Sequence, residues 1–279
     1  MSESSKYFRI SMNPLRIRQA ASLNLNGCWM MYSIGIFIYY LFTEVTINIV
    51  NYFFPTGYIN LSMAQLPADV QASMKEASVS MPQIPVLLIL YMLLMSGAFE
   101  LGRTFYTMIA LRDRVLIPRV VFDGFGYYVK ATLIFLVRYI LIALGSMFFL
   151  IPGIYLFYSY RQAYYVFLES DQKLGVIESL RESRRIMKGN KMSLFRLDIS
   201  YVFLLLLSYM PSYLLVAYGV VNVQGLSGML LFYLLQVPYF MAMGNYYMGQ
   251  TVFYELIRFG DFGKFPYHGE EFFRKIAEK

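Results

Sequence analysis

The chain has 279 residues, of which 58% are hydrophobic and 15% charged. Soluble domains run at about 45–50% apolar and about 25% charged, so both departures point to lipid as the solvent. A net charge of +7 would suggest nucleic acid in a soluble protein, but here the cations fall in short segments between apolar runs, a pattern of headgroup contact and topology setting with no room for a nucleic-acid reader domain.

A basic segment comes first, 1–27, with Lys6, Arg9, Arg16 and Arg18. The first apolar run, 28–50, exceeds the roughly 7–15 residues of a signal-peptide core and lacks a small-x-small cleavage site, so it reads as a retained helix. Five more runs follow at 84–110, 129–151, 153–169, 197–221 and 228–257, and a spanning helix needs roughly 20 apolar residues. Pro152-Gly153 is a natural break, which makes the third and fourth runs a hairpin with almost no loop. The expectation is an all-α, polytopic membrane helix bundle of about six transmembrane helices, a membrane domain over 28–257.

The connecting segments differ in charge. Segment 51–83, with Pro55, Pro67 and Pro82, is the long external loop; within it 68–77 reads as a short helix or as plain surface loop. Segment 171–191 reads as an amphipathic cytoplasmic helix, started by Asp171 and ended by Gly189-Asn190. Leu174, Ile177, Leu180 and Met187 share one side, while Arg181, Arg184, Arg185 and Lys188 supply charge. Glu178 with Arg181, and Glu182 with Arg185, are favourable pairs three apart. Two arrangements stay open. The helix lies in the headgroup layer with its apolar side toward lipid, or it packs on the ends of the bundle.

Orientation follows from Lys and Arg in the short loops. With six spans, one side receives the N-terminal cations, Arg112, Arg114, Arg119 and Lys130, the 171–191 cluster with Arg196, and the tail 258–279, and the other side receives Lys75 alone. Both termini are therefore expected in the cytoplasm, with the protein in the plasma membrane.

Charges inside apolar runs cost about 2.5–3.5 kcal/mol each at a helix centre, so each needs a reason. They are Glu44, Glu100, Arg103, Arg138, Arg161, Asp198 and Glu255. Glu100 and Arg103 lie one turn apart on one face. Arg138 and Arg161, on the two arms of the hairpin, fall at similar depth and can share Glu100 or a lipid phosphate. Glu100, Arg103, Arg138 and Arg161 are thus a candidate ligand-binding cluster inside the bundle, or else an ion-pair network that fixes packing. Tyr39, Tyr40, Tyr158, Tyr160, Tyr164 and Tyr165 are expected in interfacial belts, and Gln236, Pro238, Gly244, Asn245, Gly249 and Gln250 as kinks and interhelical bonds.

Enzyme signatures are absent: no Walker loop, no H-E-x-x-H, no G-x-S-x-G, no dinucleotide loop. The single Cys28 precludes an intrachain disulfide, and the single His268 lies in the tail. No catalytic residue, metal or cofactor is expected.

The stretch 151–203 reads Ile151-Pro152-Gly153-Ile154, then Arg161-Gln162-Ala163-Tyr164-Tyr165, then Ile177-Glu178-Ser179, Ser183, Met187 and Lys188-Gly189-Asn190-Lys191. On these residues it resembles a bacterial integral membrane family catalogued as domain of unknown function 975. Arg18, Ala21, Leu25, Gly27 and Trp29 echo the family's N-terminal pattern, and Arg161 departs from it, standing where a small or hydroxyl residue is expected. The resemblance implies a bacterial membrane protein and carries no activity. The function expected is non-enzymatic engagement of membrane lipids, through anionic headgroups, or of a membrane protein partner. A small transporter or exporter component with a polar site inside the bundle is the alternative.

Overall fold

Asn13 opens the first helix. Its side chain accepts a hydrogen bond from the Leu15 N–H at 3.0 Å, and Pro14, with no N–H to lose, takes the first helical position. The computed structural model describes residues 7–46, 58–59, 84–220 and 225–260. Within them the fold is helical: α1 (Pro14–Asn24), α2 (Trp29–Tyr40), α3 (Val86–Arg112), α4 (Tyr128–Phe148), α5 (Leu150–Tyr160), α6 (Ala163–Glu169), α7 (Val176–Ile186), α8 (Lys191–Ala217), α9 (Leu226–Leu235) and α10 (Val237–Phe259). A π turn, Leu41–Val45, extends α2, and a 3-10 segment, Pro118–Tyr127, leads into α4. A two-residue antiparallel ladder pairs β1 (Tyr58–Ile59) with β2 (Ile84–Pro85). The rest of the expected external loop 51–83, with its candidate helix 68–77 and Lys75, lies outside the described residues. So does the tail from 261 onward, with His268.

Two helical stretches, Pro118–Met147 and Lys191–Ala217, are long and apolar enough to cross a membrane by length and composition. Pro14–Asn24 and Trp29–Val45 make a third candidate if the pair, bent by 104°, is one span. The distribution of polarity agrees with lipid as the solvent. Met30, Met147, Leu150, Phe203 and Leu234 stand exposed, while Arg103, Arg138, Gln162 and Glu255 are buried. Water would penalise that inversion; hydrocarbon solvates the outside and leaves polar groups to find one another within.

The core is organised around α10. α8 runs antiparallel to it, with Tyr201 donating to Asn245 Oδ1 at 2.8 Å and Tyr209 edge-on to Tyr239 at 5.5 Å. α3 runs parallel to it, with Thr251 bonded to Thr107 at 3.0 Å and Arg112 to Glu255 at 2.7 Å. The N-terminal segment ties the same end, since the Phe8 N–H donates to the Ile257 carbonyl at 2.8 Å. The 3-10 segment packs backbone to backbone on α3. A Cβ at Gly102 would meet the Val121 carbonyl at 1.8 Å, and one at Gly124 the Ala98 carbonyl at 2.1 Å. Only glycine permits that approach.

Several expected boundaries move. The segment 1–27, expected as a flanking cytoplasmic stretch, contains α1, whose Arg18 bonds the Ser200 carbonyl. The hairpin turn falls at Phe149, which is extended (φ −163°, ψ 154°), and Pro152 sits inside the first turn of α5, where its missing N–H costs nothing. The run 228–257 is two helices, α9 and α10, broken at Gln236 with Pro238 in the first turn of the second.

The largest correction concerns 153–169, expected to cross as one helix. It breaks and bends at Arg161–Gln162, between α5 and α6. Lys191 lays its ammonium 3.8 Å from the Tyr155 ring centre, Asn190 is bonded to Phe8, and Phe8 to Ile257. At the other end of the run, Tyr254 donates to Glu169, and Arg258 pairs with Glu169. Both ends of the run therefore lie at the C-terminal end of α10. Its middle is deeper, for Arg161 reaches Tyr246, twelve residues or about 18 Å up α10 from Arg258. The hairpin tip near Phe149 thus lies on the side of the basic segment, not opposite it.

Candidate functional site

Glu100 sits on α3 and Arg103 three residues on, so helical geometry alone puts them on one face. Arg138 comes from α4. Its Nη2 donates to Glu100 Oε2 at 2.6 Å, while Arg103 Nη2 stands 4.0 Å from Glu100 Oε1, at the limit of an ion pair. Arg103 is held instead by aromatic faces. Its guanidinium carbon lies 3.9 Å from the Tyr247 ring centre and 5.2 Å from that of Tyr39. Its Nε and Nη1 are buried with no hydrogen-bond partner among the described residues. Arg138 is flanked in turn by Tyr139 and Tyr164, at 4.9 and 5.3 Å.

The expected sharing of Glu100 by Arg138 and Arg161 does not occur. Arg161, at the end of α5, donates to the Tyr246 hydroxyl at 2.7 Å, and Tyr246 donates to Asp198 Oδ1 at 3.2 Å. Tyr158 donates to Asp198 Oδ2 at 3.0 Å. The physical reason is the bend at Arg161–Gln162. An arginine at the apex between α5 and α6 faces α10 and α8, whereas α4 alone carries its arginine to α3. Three of the four expected residues thus come together, and the fourth belongs to a second polar group centred on Asp198. Next to Arg161, Gln162 is fully buried and neither atom of its amide finds a partner among the described residues.

Sequence reasoning named Asp198 and Glu255 as costly charges without assigning their roles. A carboxylate inside an apolar run was the available signal, but the partners, Tyr246 and Arg112, come from other helices. Glu169 was missed because it ends an apolar run and looks interfacial; it binds Tyr254 and Arg258. The tyrosines, expected in belts, largely serve the interior. Tyr164 is buried and donates to the Ala131 carbonyl at 3.1 Å, and Tyr165 bonds Thr251 at 3.0 Å.

The amphipathic segment is shorter than 171–191. α7 starts at Gly175, whose N–H donates to Glu178 Oε2 at 3.0 Å, so Glu178 serves the cap instead of pairing with Arg181. Asp171 and Gln172 take left-handed backbone (φ 52° and 60°), and Asp171 caps nothing. Leu180, Ser183, Ile186 and Met187 are buried in the protein, with Ser183 donating to the Ser159 carbonyl at 2.9 Å. Those residues pack on the bundle, whereas Ile177 of the expected apolar side is exposed. Arg181, Arg184, Arg185 and Lys188 all remain exposed. Of these, Arg185 pairs with Glu182 at 2.9 Å.

No family model, no curated protein and no solved structure matches the chain. The chemistry of these groups therefore carries the functional argument. Buried guanidiniums with spare donors suit an anion, and exposed ones beside apolar surface suit a headgroup layer.

Proposed function

We propose that the protein is a non-enzymatic, multi-pass protein of a bacterial plasma membrane that engages anionic lipid through the outward face of α7. One observation carries this. α7 buries Leu180, Ile186 and Met187 in the protein yet leaves Arg181, Arg184, Arg185 and Lys188 exposed, with Ile177 exposed on the same helix and Phe149, Leu150 and Ile151 exposed at the hairpin tip. Cations next to unpartnered apolar side chains match an interface with phosphate above and hydrocarbon below. In this arrangement α2, α3, α8 and α10 cross the bilayer, while the 3-10 segment with α4, α5 and α6 enters and leaves from the basic side. An even number of crossings keeps both termini cytoplasmic. This proposal counts four crossings plus a re-entrant region, against the six expected from the sequence. The likeness of 151–203 to the family catalogued as domain of unknown function 975 accords with such a protein.

The test is lipid enrichment around the full chain in nanodiscs of mixed phosphatidylglycerol and phosphatidylcholine. Changing Arg181, Arg184, Arg185 and Lys188 together to Gln is expected to remove most of the phosphatidylglycerol enrichment, at about 1 kcal/mol per cation. Enrichment that stays the same in the folded variant sinks the proposal.

A transporter or exporter component is the second proposal, favoured by the two half-helices that meet at Arg161–Gln162. Broken helices at membrane depth are tolerated where they are buried in protein or line a cavity, and transporters place their substrates there. Spare donors on Arg103 and the open amide of Gln162 would serve an anionic substrate. In a Cys28→Ser background, Gln162→Cys should react with a membrane-impermeant maleimide from one side. A cysteine inert from both sides means a dry packing network.

A further inference from the structure

We infer that the cleft in the crook between α1 and α2 binds one anionic amphiphile from the surrounding membrane, with Arg18 holding its headgroup. The cleft has a volume of 790 Å³, within the roughly 300–1,000 Å³ of sites that take small organic ligands. It arises because α1 and α2 meet at 104° and α8 and α10 close the angle. Leu15, Arg18, Gln19 and Ser22 face it from α1 at three- and four-residue spacing, so one stripe of that helix lines the space. Pro238, Met241, Ala242 and Asn245 do the same from α10. The walls are mainly apolar, with Trp29 and Leu204 completing them.

The charge inside is uncompensated. Arg18 Nη1 donates to the Ser200 carbonyl at 2.6 Å, and its guanidinium lies 5.0 Å from the Tyr201 ring centre. No carboxylate among the described residues pairs with it. A carbonyl and a ring leave most of its donors for an acceptor entering the cleft. Gln19, Ser22 and Asn245 add neutral polar atoms beside it. Exposed apolar neighbours, Met30, Phe203 and Leu207, surround the region, so what reaches the cleft comes from hydrocarbon and not from water. An occupant must then have an apolar body and an anionic, hydrogen-bonding head, which is the chemistry of a membrane phospholipid or lysophospholipid. The proposal rests on the chain lying in lipid but is independent of α7.

The experiment is native mass spectrometry of the full chain purified through mixed phosphatidylglycerol and phosphatidylcholine. Wild type should retain one phosphatidylglycerol in preference to phosphatidylcholine. Arg18→Gln should cut that preference by about tenfold, the loss of one charge-assisted contact. Ala242→Leu, which fills the cleft and leaves the Arg18–Ser200 bond in place, should abolish retention of either lipid. That variant decides the matter if Arg18→Gln fails to fold. The quadruple Gln variant of α7 should keep the retained molecule, which separates failure here from failure of the α7 proposal. Wild type without retained lipid, equal retention of both lipids, preference unchanged in Arg18→Gln, or retention surviving Ala242→Leu would each overturn the inference.

Discussion

Arg138 and Arg184 carry the same guanidinium on the same molecule. The first is buried with its Nη2 2.6 Å from Glu100; the second stands exposed on α7. A charge taken out of water costs several kcal/mol unless a partner compensates, so inside the bundle the partner dictates position and the side chain is immobilised. A charge left at the surface keeps its solvation and adds little to stability, so it stays available for whatever approaches. The contrast separates arginines that hold the protein together from arginines that can face something else. Arg103 stands between the two classes, buried like Arg138 but with two nitrogens unused.

The contrast can be broken most directly by Glu100→Ala. Leaving Arg138 buried without its carboxylate should cost about 3–5 kcal/mol, read as a lower unfolding temperature in detergent. A loss below about 1 kcal/mol would mean that Arg138 reaches water by snorkelling, and the two arginine classes would merge. Tyr246→Phe removes the link between Arg161 and Asp198, and about 1.5–3 kcal/mol should be lost if that second polar group is also a packing device. A near-neutral Tyr246→Phe would show water solvating Arg161, which sharpens the case for a wet centre. Gly102→Ala tests the frame around both groups. The added methyl would press on the Val121 carbonyl, and overpacking of this kind costs about 1–3 kcal/mol. Changing the four α7 cations to Gln should move stability least, within about 0.5 kcal/mol each in unfolding measurements, because they touch little. A large destabilisation there would place them among the structural charges.

How much was legible depends on whether a feature is local. Asn13-Pro14 states a helix start in two residues, and the pairing of Glu182 with Arg185 follows from helical spacing. Glu100 and Arg103 share a face for the same reason, although the distance between them is long. The Asp171 cap failed because Gly175 and Glu178 offered a better one four residues later. The destination of Arg161 was not legible at all. Its spacing from the end of its run at 169 matched that of Arg138 from the start of its own run at 129, and equal spacing implied equal depth only if the run stayed straight.

The sequence by itself determined where the apolar runs and the basic segments lie, because composition and short-range periodicity need no partner. The tertiary structure alone decided that the run 153–169 bends at Arg161–Gln162, that Arg161 bonds Tyr246 and not Glu100, and that Leu180, Ile186 and Met187 of α7 pack on the protein. Hydropathy has no direction: a run of apolar residues reads the same whether it crosses a bilayer once or enters and leaves by one face. Only contacts between residues far apart in the chain distinguish the two.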